Sequence, residues 1–124
     1  VEEAEAEPAE KESYLKATSE DTVRSRSWTG KPARMLKNDW TDAWADPKNP
    51  QPLGMPLQGL VTADATRRVK RYAGVAQTQK VAFNAAGQVI GQINTVEKSK
   101  DVIYRLLTEF TDAVDRLNGL LPQD

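Results

Sequence analysis

Apolar residues recur along this chain at helical spacing in several stretches, and prolines and glycines separate those stretches. Pro8 suits the first turn of a helix, where its missing N–H costs nothing. The acidic residues around it suit the positive end of the helix dipole. A helix is therefore predicted from about Pro8 to Ala17, anchored by Tyr14 and Leu15. Thr22, Val23 and Trp28 favour extended backbone, so Asp21 to Trp28 is predicted as a short strand. Thr29-Gly30-Lys31-Pro32 then reads as a turn. Pro32 can open a helix from about Ala33 to Trp44. In that helix Leu36, Trp40 and Trp44 stand at i, i+4 and i+8, on one face. Such an aromatic stripe reads as core or interface, not as a cofactor box.

Pro47, Pro50, Pro52, Gly54 and Pro56 leave no room for a regular element, and this stretch is expected as a semi-rigid connector. Leu57 to Ala73 is predicted helical, in one piece or in two joined near Thr62, with Leu57, Leu60 and Val61 as a short apolar face. Arg67, Arg68, Lys70 and Arg71 follow as a basic cluster. It reads as a solvated face or a patch for an acidic partner, with phosphate contact as the functional alternative. Val81 to Ile93 is rich in small residues, which allow close approach of another helix or of a ligand. From Asn94 to Asn118, Val102, Ile103, Leu106, Leu107, Phe110, Val114 and Leu117 recur at helical spacing. Asn94 and Glu97 have the spacing of a capping box, and Asn118-Gly119 followed by Pro122 reads as the stop. A helix this amphipathic needs a surface on which to bury its stripe.

The expected fold class is mainly α with a short strand. The divisions are 1–18, acidic leader and helix; 19–46, strand, Gly-Pro turn and helix; 47–56, Pro-rich connector; and 57–124, a helical C-terminal segment. A length of 124 residues suits one small domain and is too short for a (β/α)8 barrel, which takes roughly 250 residues. A hydrophobic share of 39% permits only a modest core. A net charge of −1 gives no global field for nucleic acid or an anionic membrane. No apolar run approaches a membrane span, and the acidic N-terminus does not resemble a signal peptide. A cytoplasmic protein is the expectation, and the start at Val1 suggests processing or cleavage.

Cysteine and histidine are both absent. Thiolate and serine–histidine catalysis, disulfides, and zinc, haem or copper sites are thereby excluded from these residues. Glu109, Asp112 and Asp115 read as the polar face of the last helix, not as a metal site. No phosphate loop of the Walker type is present. No catalytic residue and no metal ligand is expected in this chain.

Three segments in order carry a resemblance. Ser27-Trp28-Thr29-Gly30-Lys31-Pro32-Ala33-Arg34 stands within Ser19 to Asn38, Met55-Pro56-Leu57-Gln58-Gly59-Leu60 follows, and Ala86-Gly87-Gln88-Val89-Ile90-Gly91-Gln92-Ile93 comes third. Together they resemble the C-terminal part of the nitronate monooxygenases, the 2-nitropropane dioxygenase family. The resemblance covers about Lys11 to Leu121. It implies a parent enzyme with an FMN-bearing α/β TIM barrel and a helical cap. That enzyme would oxidise alkyl nitronates with O2 to a carbonyl compound and nitrite. The family's phosphate site and catalytic histidine lie upstream and have no counterpart here. Gly87 and Gln88 are carried over as residues near the flavin or substrate cavity, Gln88 as a donor to a flavin carbonyl or a nitronate oxygen. Arg34 is expected to hold the turn or a helix end. The implied partners are the N-terminal barrel part of the same enzyme, the nitronate and O2, and a homo-oligomer stays open. A related flavin-dependent enoyl reductase or NADH:quinone reductase is the alternative within the superfamily. A non-catalytic helical interaction module is the alternative outside it.

Overall fold

A tight turn at Gly30 sets the first correction to these expectations. The computed structural model describes residues 1–121. Gly30 has φ 82°, and a Cβ there would lie 2.6 Å from the Leu53 carbonyl oxygen and the Met55 nitrogen, so only glycine fits. The Gly30 N–H donates to the Arg26 carbonyl and the Arg26 Nε donates to the Gly30 carbonyl, both at 2.9 Å. The chain thus turns back on itself. Strand β1 (Thr22–Ser25) pairs antiparallel with β2 (Ala33–Leu36), Val23 opposite Met35 and Arg24 opposite Arg34. Ala33 to Leu36 is therefore strand and not the start of a helix, and Trp28 lies in the connecting turn and not in β1. Pairing decides this. The strand satisfies its backbone against β1, and its other edge takes a bridge from Met35 to Ala85, with Leu36 N–H donating to Asn84 and Ala86 N–H to Arg34. Met35 and Leu36 become core residues. The chain accordingly holds a two-stranded sheet among helices, not one short strand.

The helix expected from Ala33 starts later. Helix α2 (Asp39–Ala45) is opened by Asn38, whose side chain accepts from the Thr41 N–H at 3.1 Å, while the Thr41 hydroxyl accepts from the Asn38 N–H at 2.9 Å. Helix α1 (Pro8–Lys16) forms as predicted, with proline in its first turn. Residues 46–56 contain no helix or strand.

Helix α3 (Leu57–Arg71) is one piece. Thr62 does not break it, because its hydroxyl reaches the Trp28 carbonyl at 2.7 Å and the Gln58 carbonyl at 3.1 Å. The packed face of α3 is Gln58 and Thr62, whereas Leu57, Leu60 and Val61 are exposed, Leu60 at 72%. The Gln58 side chain donates to the Ser27 carbonyl at 2.7 Å and accepts from the Leu53 N–H at 2.9 Å. A polar residue is tolerated at full burial because both ends of its amide are paired. The core comprises Trp28, Met35, Leu36, Ala82 and Ile90, interleaved with Ser27, Thr41, Gln58, Thr62 and Asn84.

The small-residue stretch forms no α-helix. It follows a 3-10 segment at Ala76–Val81 and contains a run without helix and a second 3-10 segment at Gln88–Gln92. All of these elements belong to one compact unit, residues 6–94. A second unit combines Val1–Glu5 with the chain from Thr95. It is built around α4 (Ser99–Asn118). Asn94 does not cap α4. Lys98 occupies the N-cap position with no side-chain bond, and the Glu3 carboxylate accepts instead from the Ser99 N–H at 3.0 Å and the Ser99 hydroxyl at 2.9 Å. The Glu97 carboxylate pairs with Arg105 at 3.3 Å and the Thr95 hydroxyl at 2.9 Å. Gly119 keeps an ordinary helical φ of −67°, so the stop is not a left-handed glycine cap, and Pro122 lies outside the described residues. No residue of α4 is buried. Among the described residues no helix is long and apolar enough to cross a membrane.

Candidate functional site

Trp28 is the centre of the larger unit. The turn ending at Gly30 places its indole against Trp40 of α2, with ring centroids 4.4 Å apart and planes 16° from parallel. Phe83 meets Trp28 edge-on at 6.0 Å, and Trp44 tilts against Trp40 at 6.0 Å. The predicted Trp40–Trp44 neighbourhood is present, but Leu36 joins the core from a strand and Trp28 enters from a turn. The indole N–H groups of Trp28 and Trp40 are buried with no hydrogen-bond partner among the described residues. Stacking of this kind contributes about 0.5–1.5 kcal/mol beyond area burial and partly offsets those two unpaired donors.

Beside Trp28 lies a groove of about 640 Å³. Helix α3 contributes Gly59, Thr62, Ala63, Thr66, Val69 and Lys70 to its lining, and Ala73 follows just beyond the helix end. Trp28, Ala82, Phe83, Asn84, Glu10, Thr29, Thr78 and Gln79 complete the lining. The volume falls within the usual range of small-molecule sites. Some polar side chains in its wall are paired inside the protein: Thr62 with the Trp28 carbonyl, and Asn84 with Gln79 at 2.9 Å. Arg67 and Arg68 both pair with Asp64, at 3.3 and 2.8 Å, and are mainly solvated. Lys70 separates from that cluster and lines the groove, with no ion pair among the described residues.

Gly87 and Gln88 lie outside this groove. Gly87 precedes the second 3-10 segment with φ −82°, a conformation open to any residue. A Cβ on Gly87 would meet only the Val89 Cγ1, at an ordinary 3.8 Å. A Cβ on Gly91 would sit 2.9 Å from the Ser19 hydroxyl oxygen and 3.0 Å from its nitrogen. Close packing inside this chain therefore explains glycine at position 91 and not at position 87. The Gln88 carbonyl accepts from the Ser19 hydroxyl at 2.6 Å, which fixes the segment, while the Gln88 side chain has no partner among the described residues. Arg34 donates to the Thr22 hydroxyl at 3.0 Å across the hairpin, so it ties the two strands together and does not hold the Gly30 turn.

The titratable groups with clear shifts are structural. Backbone and then side-chain hydrogen bonds from Thr18 hold the Asp21 carboxyl below its usual range. Burial, and secondarily the charge of Glu10, pushes the Tyr14 hydroxyl up. Among the described residues no group of histidine, cysteine or carboxylate side chains could hold a metal ion. The groove walls, Trp28, Phe83, Thr62 and Asn84, were not singled out as a site from sequence. The signal for them was the spacing of small residues along α3, hidden behind the more conspicuous Leu57, Leu60 and Val61.

No protein-family model matches the chain. Over 123 residues it is 47% identical to a Mycobacterium tuberculosis protein, Rv1533, which carries the provisional name of a monooxygenase. That alignment takes in 98% of this chain and 33% of the relative. Among solved structures, FabK from Thermotoga maritima superposes on 94% of the chain with a TM-score of 0.69 and 25% identity, over 35% of FabK. The chain thus spans about a third of the length of each of these proteins.

Proposed function

We propose that this chain is the C-terminal part of a flavin-dependent oxidoreductase with a TIM-barrel body, and that the enzyme is a nitronate monooxygenase using FMN. The observation that carries this reading is the 47% identity to a protein named as a monooxygenase, sustained over nearly the whole chain. The order of the three family-like segments supports it, and so does an α4 whose apolar stripe buries nothing within the described residues. The residues fit such a group at one place. Gly87 leaves open the space that a side chain would fill, and Gln88, the next residue, has a side-chain amide with no partner among the described residues.

When bound, the flavin supplies electron transfer between the substrate and O2. In this reading the chain positions and shields. The Gln88 amide N–H would donate to a flavin carbonyl or to a nitronate oxygen. The Ser19–Gln88 bond holds that backbone in place, and Gly87 permits close approach. The barrel part of the same polypeptide is its partner, covering α4, and the cytoplasm is its place. The similarity to FabK favours a second reading, a flavin-dependent enoyl reductase with a related tail.

The test is the full-length polypeptide, purified and examined for flavin absorbance, the mass of the released cofactor, and nitrite release from propionate 3-nitronate. FMN with O2-dependent nitrite release is the expected result. Flavin with NAD(P)H-dependent enoyl thioester reduction and no nitrite selects the second reading. A colourless protein overturns both and leaves a helical interaction module.

A further inference from the structure

We infer that Ala6–Asn94 opens and closes as an insert of its own, and that Val1–Glu5 and α4 stay joined while it does, with the Glu3 carboxylate as their latch. The chain enters and leaves this insert at one place. The Glu2 N–H donates to the Glu97 carbonyl at 2.9 Å, and the Glu3 carboxylate accepts from the Ser99 N–H at 3.0 Å and from the Ser99 hydroxyl at 2.9 Å. A stretch whose two ends are held side by side can unfold without pulling those ends apart, which is why domain insertions are tolerated at such points. Residues 5–7 and 93–98 lie outside helix and strand, so no regular element runs across either boundary. Glu3 has the chemistry of a latch. The first N–H groups of a helix lack intrahelical partners and carry positive partial charge, and a carboxylate answers both needs. Lys98, at the N-cap of α4, supplies no side-chain bond of its own. Glu97 adds a second tie, since its carbonyl holds Glu2 while its carboxylate pairs with Arg105 inside α4 at 3.3 Å. Helix α4 therefore goes with residues from the far end of the chain and not with α3, which precedes it. The groove beside Trp28 and the Gly87–Gln88 pair both belong to the insert, so both can be exposed without loss of α4. This holds whichever reaction the enzyme performs.

The test is native-state hydrogen exchange of the full-length polypeptide, followed by mass spectrometry in rising urea. Peptides from residues 1–5 and from α4 are expected to open together, at a urea dependence distinct from the one shared by β1, β2 and α3. Glu3→Ala should speed exchange about threefold to fivefold over residues 1–5 and the first turns of α4, and leave 22–36 and 57–71 unchanged. Glu3→Gln keeps an acceptor and loses the charge, and should give about twofold. Trp28→Ala should speed exchange over 22–36 and 57–71 and leave α4 unchanged. Opening of α4 in step with α3 overturns the proposal, as does exchange in α4 that is the same in Glu3→Ala as in the parent. The urea series needs no variant, so it decides the matter even if Trp28→Ala fails to fold. Flavin absorbance of the same samples is read separately. A colourless protein with two separate openings refutes the proposed function alone, and a flavoprotein in which α3 and α4 open together refutes this inference alone.

Discussion

Helices α3 and α4 of this chain bury opposite kinds of surface. Helix α3 packs through Gln58 and Thr62, both almost fully buried, and leaves Leu57, Leu60 and Val61 in solvent. Helix α4 has a regular apolar stripe, Ile103, Leu106, Leu107, Phe110 and Leu117, and every one of those side chains is exposed. Amphipathicity reports the surface a helix needs, not the surface its own chain provides. Specific side-chain-to-backbone bonds can seat a helix on its polar face when each buried group is paired. An apolar stripe has no such local substitute. Under the proposed function, the barrel part of the polypeptide would cover these five apolar residues.

That contrast can be broken most severely at Trp28, which α3 holds by its backbone. Trp28→Ala removes the stacked indole while keeping the backbone carbonyl that Thr62 holds, and should destabilise the full-length protein by about 3–5 kcal/mol in urea unfolding. A variant as stable as the parent would show that the aromatic cluster is not the core.

Phe110→Ala tests the other helix. In the 124-residue chain alone it should change stability by no more than about 0.5 kcal/mol, since the ring is 68% exposed. In the full-length protein it should cost about 3 kcal/mol, because the ring would there be buried. Equal small effects in both would mean that nothing covers α4.

Gln58→Leu sharpens the account of α3. It keeps the volume but strands the Ser27 carbonyl and the Leu53 N–H, and should cost about 1–3 kcal/mol despite the gain in hydrophobicity. A stabilised variant would refute the polar seat.

A glycine pair comes next. Gly91→Ala meets Ser19 at 2.9 Å and should lose about 1–3 kcal/mol of stability by overpacking. Gly87→Ala meets nothing closer than 3.8 Å and should fall within about 0.5 kcal/mol, while weakening flavin retention in the full-length protein. Unchanged flavin affinity would remove Gly87 from the cofactor's surroundings.

The smallest expected effect is on pH dependence. The folded state favours the Asp21 carboxylate, so its contribution is present above the ordinary carboxyl value of 3.8 and is lost as pH falls below it. Folding disfavours the Tyr14 phenolate, so stability declines as pH rises past 10.0, where the unfolded chain ionises first. Asp21→Asn should flatten the acid limb of the stability profile slightly and Tyr14→Phe the alkaline limb. An acid limb identical in Asp21→Asn and the parent would discount the Thr18–Asp21 bonds.

Local chemistry made several features legible from the residues themselves. Proline at a first turn started α1, proline density kept 46–56 free of helix and strand, and long stretches without proline carried α3 and α4. The absence of histidine and cysteine settled equally well that this chain holds no thiol or imidazole chemistry. Contacts distant in sequence decided the rest. Ala33–Leu36 became a strand because β1 and Ala85 lie on either side of it, overriding the helical spacing of Leu36, Trp40 and Trp44. Glu3 took the start of α4 from 96 residues away, which no local capping pattern could announce. The groove exists only because a turn, a helix and an extended segment meet around Trp28. Periodicity encodes what one element prefers, and only tertiary pairing determines which backbone groups and faces are left for it to satisfy.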